Sequence, residues 1–352
     1  MTSMQYNVSQ WATHPSLSKP GIGHIPEKLY VLCMLENPVR YRSRYENFWK
    51  FQKHVEDSGG QLYVAEIAFG DRPFEITKPD NPQHLQLRTR SEIWHKENAL
   101  NLLMKKLPDD AKYIAWLDAD IMFIRTDWVQ ETMHLLQSFD VVQMFSEAID
   151  LNEYDEVGKI HQGLMKCYIE DIPSINAPQH YHHHHHHHHR HHPHHHGHFD
   201  DSYLHQPTYW HPGYAWAARK DALDKLGGLI DWAILGSGDW HMAWALLGRC
   251  NEHLHQGLTQ SYRDLCLQWE QRAENKIRRN VSYMSGTIIH RYHGNKQKRF
   301  YGERWDFLSR AKFDPAKHLT KDEQGLWVLN EDQTWLRDGI RSYNRLRDED
   351  ER

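Results

Sequence analysis

Short apolar runs alternate with amphipathic segments between residues 29 and 145. Continuous apolar runs are typical of strands buried on both faces of a parallel sheet, whereas apolar positions three or four residues apart predict helices. The pattern predicts strands at 29–35, 61–69, 113–117 and 140–145, helices at 42–58, 92–107 and 128–138, and a loop at 70–92. This alternation predicts an α/β fold with a mostly parallel, Rossmann-like central sheet flanked by helices.

The pattern changes after residue 145, where residues 146–211 form a long polar insertion. Beyond it we predict strands at 212–218 and 287–292 and helices at 220–226 and 239–247. The tail mixes aromatic and charged residues, which predicts helices packed on the main domain. We therefore expect a polar leader at 1–28, a main domain at 29–310 that contains the insertion, and a helical C-terminal extension at 311–352.

Composition narrows the classes of protein. The chain has 352 residues, of which 39% are hydrophobic, enough to bury a sizeable core. A formal net charge of −5 does not favour a polyanion-binding protein, although a local basic patch stays open. The four cysteines form no CxxC pair, which favours a reducing compartment over a disulfide framework. Because we find neither a signal-peptide pattern nor an apolar run of about 20 residues, we expect a cytoplasmic protein without a membrane span.

Asp118 and Asp120 follow the strand predicted at 113–117. Residues i and i+2 of an extended chain point the same way, and parallel sheets bind ligands at the carboxyl ends of their strands. Two carboxylates that face one crevice make a hard-oxygen site for Mg²⁺ or Mn²⁺, which could bridge the phosphates of a nucleotide diphosphate. The alternative is an ordinary surface turn, in which Asp is common.

Two further motifs carry candidate chemistry. His290 and His293 follow an apolar run in the segment IIHRYHG, and a neutral imidazole is a suitable third ligand beside two carboxylates; ordinary loop histidines are the alternative. Asp239 follows two glycines at the start of a predicted helix. It can act as a general base toward an acceptor hydroxyl, or it can simply cap the helix, and spacing alone favours the cap.

The order of these features resembles that of the GT-A glycosyltransferases: a nucleotide-binding strand, a DxD motif, an acceptor-side acid after glycines and a C-terminal metal-binding histidine. The segments IWHKENALN at 93–101 and HRYHGNKQKRFYGERW at 290–305 also resemble bacterial and phage glycosyltransferase-like proteins. The resemblance covers about residues 29–310. It implies a GT-A fold and transfer of a sugar from a nucleotide-diphosphate sugar, most commonly a UDP-sugar, with Mn²⁺ or Mg²⁺ as cofactor. Inversion at the sugar is favoured, and retention stays open.

The resemblance also implies roles for single residues. Asp118 and Asp120 would hold the metal with one histidine, for which His293 is favoured over His290 because it precedes Gly294. Asp239 would be the base. The residues implied near the nucleotide or its diphosphate are Asn37, Arg40, Arg44, Lys96, Asn98, Lys296, Lys298 and Arg299. Between His290 and Lys312, seven Lys and Arg residues stand against two acids. This local basic excess suits an anionic donor, although any one of these cations equally suits a solvated helix face.

The acceptor and the class of protein have alternatives. A saccharide or glycoconjugate is the broad expectation for the acceptor, and a hydroxymethylated base in modified DNA is the second, against which the acidic net charge weighs. A nucleotidyltransferase is disfavoured, because the residues after the first strand lack the glycines of a phosphate-binding loop.

Fifteen histidines lie between His180 and His198, inside the insertion and in a part of the chain that often shapes the acceptor pocket in GT-A enzymes. A disordered low-complexity loop is the simplest interpretation. Because histidine tracts bind transition metals, a non-enzymatic, His-rich metal-binding protein is the alternative class.

Overall fold

The computed structural model describes residues 27–172, 210–300 and 302–351, without the side chains of Lys296 and Gln297. The His-rich loop predicted at 180–198 lies outside the described residues, as does all but the end of the predicted leader.

A seven-stranded sheet forms the centre of the molecule. Its spatial order is β11 (Val281–Tyr283), β6 (Val141–Gln143), β10 (Ala215–Arg219), β4 (Tyr113–Leu117), β1 (Leu29–Glu36), β2 (Gln61–Phe69) and β3 (His84–Thr89). Among these described strands only β10 runs antiparallel to its neighbours. Apolar cores cover both faces of the sheet. The predicted fold class, a mostly parallel α/β sheet flanked by helices, is confirmed.

The strand order contains a reversal that creates a binding crevice. From β1 the chain adds β2 and β3 on one side and then returns to place β4 on the other side. Ligands bind to sheets of this kind at such a switch point, outside the carboxyl ends of the strands. Here those ends are Glu36 on β1 and Leu117 on β4, and Asp118 follows Leu117 directly.

A second sheet brings distant segments to this crevice. Its order is β5 (Ile121–Phe123), β12 (Thr287–His290), β7 (Glu147–Leu151), β8 (Val157–Gly163) and β9 (Trp210–His211). β12 pairs antiparallel with β5, so that His290 lies opposite Ile121, and parallel with β7, so that it also lies opposite Asp150. The register therefore fixes His290 next to the residue that follows Asp120.

Helices pack around the two sheets. They are α1 (Arg42–Asp57), α2 (Lys96–Met104), α3 (Trp128–Leu136), α4 (Leu164–Ile169), α5 (Lys220–Leu226), α6 (Gly238–Leu246), α7 (Cys250–His253), α8 (Gln260–Lys276), α9 (Glu303–Arg310), α10 (Pro315–His318) and α11 (Thr334–Leu346). Within the described ranges, no helix has the length and apolar character needed to cross a bilayer. The segment predicted as a helical C-terminal extension also contains a two-stranded hairpin, β13 (Leu319–Lys321) with β14 (Trp327–Leu329).

Three local predictions differ from the structure. The loop predicted at 70–92 contains β3, whose mixed polar pattern suits its place at the edge of the sheet. The helix predicted from residue 92 begins only at Lys96, and the backbone N–H of Trp94, before the helix, donates to Ile234 O at 2.8 Å. The polar insertion contains β7, β8 and α4 before the undescribed stretch.

A further helix, α8, has no counterpart in the prediction. Its seventeen residues are mostly polar, and its buried positions are Tyr262, Cys266, Trp269 and Ala273. These positions recur at helical spacing, but the apolar stripe is narrow and includes a cysteine and a tyrosine. A weak periodic signal of this kind explains why the helix was missed.

The packing of α1 on the sheet generates a stability test. Phe51 is 1% exposed within the core between α1 and the sheet, whereas Trp49 on the same helix is 49% exposed. Phe51→Ala should lower the free energy of unfolding by about 3–5 kcal/mol, because it removes a large buried ring. Trp49→Ala should cost less than about 1 kcal/mol. Urea denaturation of both variants makes the comparison, and equal losses would contradict the assigned burial.

Candidate active site

The switch point opens into a cavity of about 240 Å³. Its wall consists of the ends of β1 and β4, the first residues of α2 and α6, the Pro212–Tyr214 region, and cationic side chains from the C-terminal part of the chain. The cavity therefore lies where a sheet of this order binds ligands. Of the sequence-predicted residues, those that line it are Asp118, Asp120, Asp239, His290, His293, Arg44, Lys96 and Arg299.

Asp120, His290 and His293 form a cluster at the end of β4. Asp120 Oδ2 lies 3.0 Å from His293 Nε2 and 3.7 Å from His290 Nε2, and the two Nε2 atoms are 3.3 Å apart. Two ligand atoms at about 2.1 Å from one ion, with angles near 90–110°, lie about 3.0–3.4 Å apart. Two of the three separations fall in this range, and the third, at 3.7 Å, corresponds to a wider angle of about 120° at the ion, so the three atoms can share one divalent cation.

The donor set also fits such an ion chemically. Asp120 Oδ1 is buried and has no hydrogen-bond partner among the described residues, which leaves a carboxylate oxygen that needs a counter-charge. Carboxylate oxygen and imidazole nitrogen together suit Mn²⁺ and related divalent metals. Burial by itself would raise the pKa of Asp120. The neighbouring His290 and His293 rings have the larger effect and hold that pKa well below its usual range. Asp120 is therefore an anion in this cluster.

Asp150 orients His290. Its Oδ1 lies 2.9 Å from His290 Nδ1, and its carboxylate also accepts hydrogen bonds from the Tyr214 hydroxyl at 2.8 Å and from His161 Nε2 at 2.5 Å. A carboxylate on one imidazole nitrogen fixes the ring and directs the other nitrogen toward a metal. Burial lowers the pKa of His290, but Asp120 and Asp150 outweigh it and raise the pKa to about 9. A cation at Nε2 would therefore compete with a proton.

Asp118 has a different partner from Asp120. Its Oδ1 contacts Lys96 Nζ at the start of α2, and it lies outside the cluster of three metal-ligand candidates. Burial disfavours the Lys96 ammonium, but the Asp118 and Glu97 carboxylates outweigh it and raise the pKa of Lys96 above its usual range. The predicted pair of metal-binding aspartates is thus divided, with Asp118 held by a lysine and Asp120 by two histidines.

Asp239 lies at the start of α6 on the wall of the same cavity. The helix cap is Ser237, whose φ of 80° lies in the left-handed region, so Asp239 is inside the helix and does not occupy the cap position considered from the sequence. A Cβ at Gly213 would collide with the Asp239 carboxylate, and a Cβ at Gly238 would lie 2.7 Å from Glu97 Cδ. The two glycines therefore make room for the acids beside them.

Four of the residues implied near the donor have other contacts. The Asn37 side chain bonds the backbone of Tyr41 at 2.7 and 2.8 Å and holds the turn before α1. Asn98 bonds Gly325 O and Trp327 N, so that it holds the β13–β14 hairpin. Both amides are satisfied by backbone and are absent from the cavity wall.

The two remaining cations lie toward the surface. Arg40 is 63% exposed and faces Glu75 at 3.9 Å, and Lys298 pairs with Asp348 and Glu351. Neither lines the cavity. The side chain of Lys296 lies outside the described residues.

Sequence reasoning missed several residues of the site. Asp150 was hidden because it lies in the stretch read as a polar insertion, and Glu97 because it is one acid in an amphipathic helix. Burial raises the pKa of Glu97 to about 8, against the opposing effect of Lys96. Arg304 and Arg347 also line the cavity, and both come from the charged tail.

Comparison with known proteins finds distant structural likeness at low sequence identity. No family model matches the sequence, and no curated protein matches it. The catalytic domain of Drosophila beta1,4galactosyltransferase 7 in complex with xylobiose is 11% identical, with 86% of this chain and 93% of that chain covered and a TM-score of 0.34. A mutant of that enzyme with manganese, UDP-Gal and xylobiose is 12% identical, with the same coverage and TM-score.

A third structure, described as a nucleotide-diphospho-sugar transferase from Desulfovibrio desulfuricans, is 12% identical, with 81% of this chain and 98% of that chain covered and a TM-score of 0.33. Likeness at this level carries no argument about activity. The functional argument therefore rests on the geometry of the cavity.

A buried histidine under the cavity generates a pH prediction. His241, two residues after Asp239, is 1% exposed, and burial together with the Arg304 guanidinium lowers its pKa from 6.5 to about 3. Between pH 3 and pH 6.5, His241 binds a proton in the unfolded chain but not in the native state. The free energy of unfolding should therefore fall as the pH drops below 6.5, by about 1.4 kcal/mol per pH unit from this group.

His241→Gln tests this by urea denaturation at several pH values. The variant should have a shallower slope than the wild type between pH 6.5 and 4.5, and the two curves should run parallel above pH 7.5. Equal slopes in the acidic range would contradict the prediction.

Proposed function

We propose that this protein is a metal-dependent glycosyltransferase that moves a sugar from a nucleotide-diphosphate sugar to an acceptor hydroxyl. The observation that carries the proposal is the Asp120–His290–His293 cluster at the switch point of a mostly parallel sheet, with Asp239 on the wall of the same cavity. Bound Mn²⁺ or Mg²⁺ would neutralise charge on the departing diphosphate. Asp120, His290 and His293 would hold it.

The donor would lie with its diphosphate beside the cluster. Three cationic side chains that line the cavity can bind phosphate oxygens: Arg44, Lys96 and Arg299. Arg299 Nη2 lies 3.0 Å from His293 Nε2, so its charge is adjacent to the metal ligands. We propose a UDP-sugar as the donor, following the resemblance of the sequence motifs to the GT-A family.

The acceptor would lie on the Asp239 side of the cavity. Trp240, Trp94 and His211 line that region, and aromatic faces stack on sugar rings. Asp239 would accept the proton of the acceptor hydroxyl as the hydroxyl oxygen attacks the anomeric carbon. The attack would come from the face opposite the nucleoside diphosphate, which leaves, so that the anomeric centre is inverted. We propose a saccharide or glycoconjugate as the acceptor, because DNA binding needs a basic groove and the formal net charge of the chain is −5.

The alternative class, a His-rich metal-binding protein, rests on sequence outside the described residues. The described cluster is separate from that tract, because all three of its members lie outside 180–198. Metal binding that depends on Asp120 would therefore distinguish the two classes.

Isothermal calorimetry with Mn²⁺ and with UDP-, GDP- and CDP-sugars tests the metal site and the donor. Wild type should bind one donor only with Mn²⁺ present, and Asp120→Asn should weaken Mn²⁺ binding by at least about 100-fold, because outer partners of metal ligands alone are worth 10- to 100-fold. Asp127→Asn, which alters a 59% exposed carboxylate, is the matched control and should bind like wild type. Metal-independent binding, or equal binding by Asp120→Asn, would sink the proposal.

The role of Asp239 is tested by turnover of the donor found by calorimetry. Asp239→Asn should lower kcat for acceptor glycosylation by about 10²- to 10⁴-fold, because the amide cannot take the proton, while Mn²⁺ and donor affinity stay unchanged. Asp224→Asn, at a 64% exposed position on α5, is the control. Full activity of Asp239→Asn would assign the base to another residue.

A further inference from the structure

The C-terminal strap, residues 343–351, crosses from α11 to the N-terminus of α1. The Tyr41 hydroxyl lies 3.0 Å from Asn344 O and accepts the backbone N–H of Asp348 at 3.0 Å. The Asp350 carboxylate accepts the backbone N–H groups of Arg42 and Ser43, each at 2.8 Å, and so satisfies the first turn of α1. The strap is thus docked by defined hydrogen bonds.

The strap also touches the loop that carries the metal-binding histidine. A Cβ at Gly294 would lie 2.6 Å from Glu349 Cα, and Gly294 has a φ of 86°, so only glycine fits there without strain. Tyr343 Oη donates to Arg299 O at 2.9 Å. The close contact places the Glu349 side chain behind His293.

Glu349 has no exposed side-chain surface. Its Oε1 lies 2.7 Å from Arg44 Nη2 and 2.8 Å from Arg347 Nε, and its Oε2 lies 2.5 Å from Arg44 Nε. Burial by itself would raise the pKa of Glu349. The guanidinium groups of Arg44 and Arg347 have the larger effect and hold that pKa well below its usual range. Glu349 is therefore a buried anion fixed in place by two cations.

His293 Nδ1 faces this carboxylate, with Glu349 Oε2 at 3.5 Å. That nitrogen is buried and has no hydrogen-bond partner among the described residues, and an unpaired buried donor costs about 1–3 kcal/mol. A shift of about half an ångström would close the hydrogen bond. His290 has the matching arrangement, with Asp150 on Nδ1 and Asp120 near Nε2.

We propose that Glu349 is the positioning residue of His293: it holds the proton on Nδ1 and directs the Nε2 lone pair toward the metal beside Asp120. The inference rests on the proposed metal site and extends it to the C-terminal strap. Arg44, implied by the sequence resemblance as a donor contact, is then also the residue that anchors Glu349.

Mn²⁺ affinity, measured from the free-ion signal in electron paramagnetic resonance, tests the proposal on the full chain. Glu349→Gln should weaken Mn²⁺ binding by about 10- to 100-fold, the usual effect of removing a carboxylate behind a metal-binding histidine. Asp350→Asn is the matched control, because it weakens the docking of the strap but leaves Glu349 intact, and it should bind Mn²⁺ like wild type. Circular dichroism and thermal unfolding establish that each variant is folded.

A double-mutant comparison separates positioning from a general structural effect. In a His293→Ala background, Glu349→Gln should cause no further loss of Mn²⁺ affinity, whereas in a His290→Ala background it should cause the same loss as in wild type. Three outcomes would overturn the role of Glu349 and leave the metal site standing. Glu349→Gln could bind Mn²⁺ as tightly as wild type, it could lose no more affinity than Asp350→Asn, or it could cause equal losses in both histidine backgrounds. A wild type that binds no Mn²⁺ would overturn both.

Discussion

The buried carboxylate of Asp120 is the constraint on which the rest of the site depends. A buried charge is costly unless it is paired, and Asp120 is paired with two imidazoles from the far end of the chain. Those imidazoles reach it only because β12 pairs with β5, directly after Asp120, and because the backbone N–H of Arg291 donates to Asp120 O at 2.9 Å. The second sheet is therefore the structural means by which a carboxylate at the end of β4 obtains its partners.

The same electrostatic requirement explains why Asp118 and Asp120 have separate partners. Two unpaired carboxylates two residues apart would raise each other's pKa. Lys96, at the start of α2, compensates Asp118, whereas His290 and His293 compensate Asp120. Asp120 thus belongs to the cluster with the two histidines, whereas Asp118 ties α2 to the wall of the cavity.

The sequence alone was enough to predict five of the seven described strands of the central sheet and eight of the residues that line the cavity, because both follow from short-range pattern and from strand order. Asp118 and Asp120 were predictable as residues that directly follow a buried strand, and parallel strands bring such residues to one edge. Asp150 and Glu349 were not predictable, because their roles depend on the pairing of β7 with β12 and on the docking of the last residues against α1. The position of Asn98 has the same origin: its motif neighbour Lys96 lines the cavity, while the Asn98 side chain bonds the β13–β14 hairpin.

The segment directly before the antiparallel strand β10, Gly213 and Tyr214, links the two sides of the cavity. Tyr214 O accepts the backbone N–H of Asp118 at 2.9 Å, and the Tyr214 hydroxyl donates to Asp150 behind His290. The preceding residue, Gly213, packs against the Asp239 carboxylate. Tyr214 itself has a φ of 72°, a conformation that costs about 1–3 kcal/mol and persists only where surrounding contacts require it. Because this short segment touches Asp118, the carboxylate behind His290 and Asp239, its displacement would move the proposed base and the proposed metal ligands together.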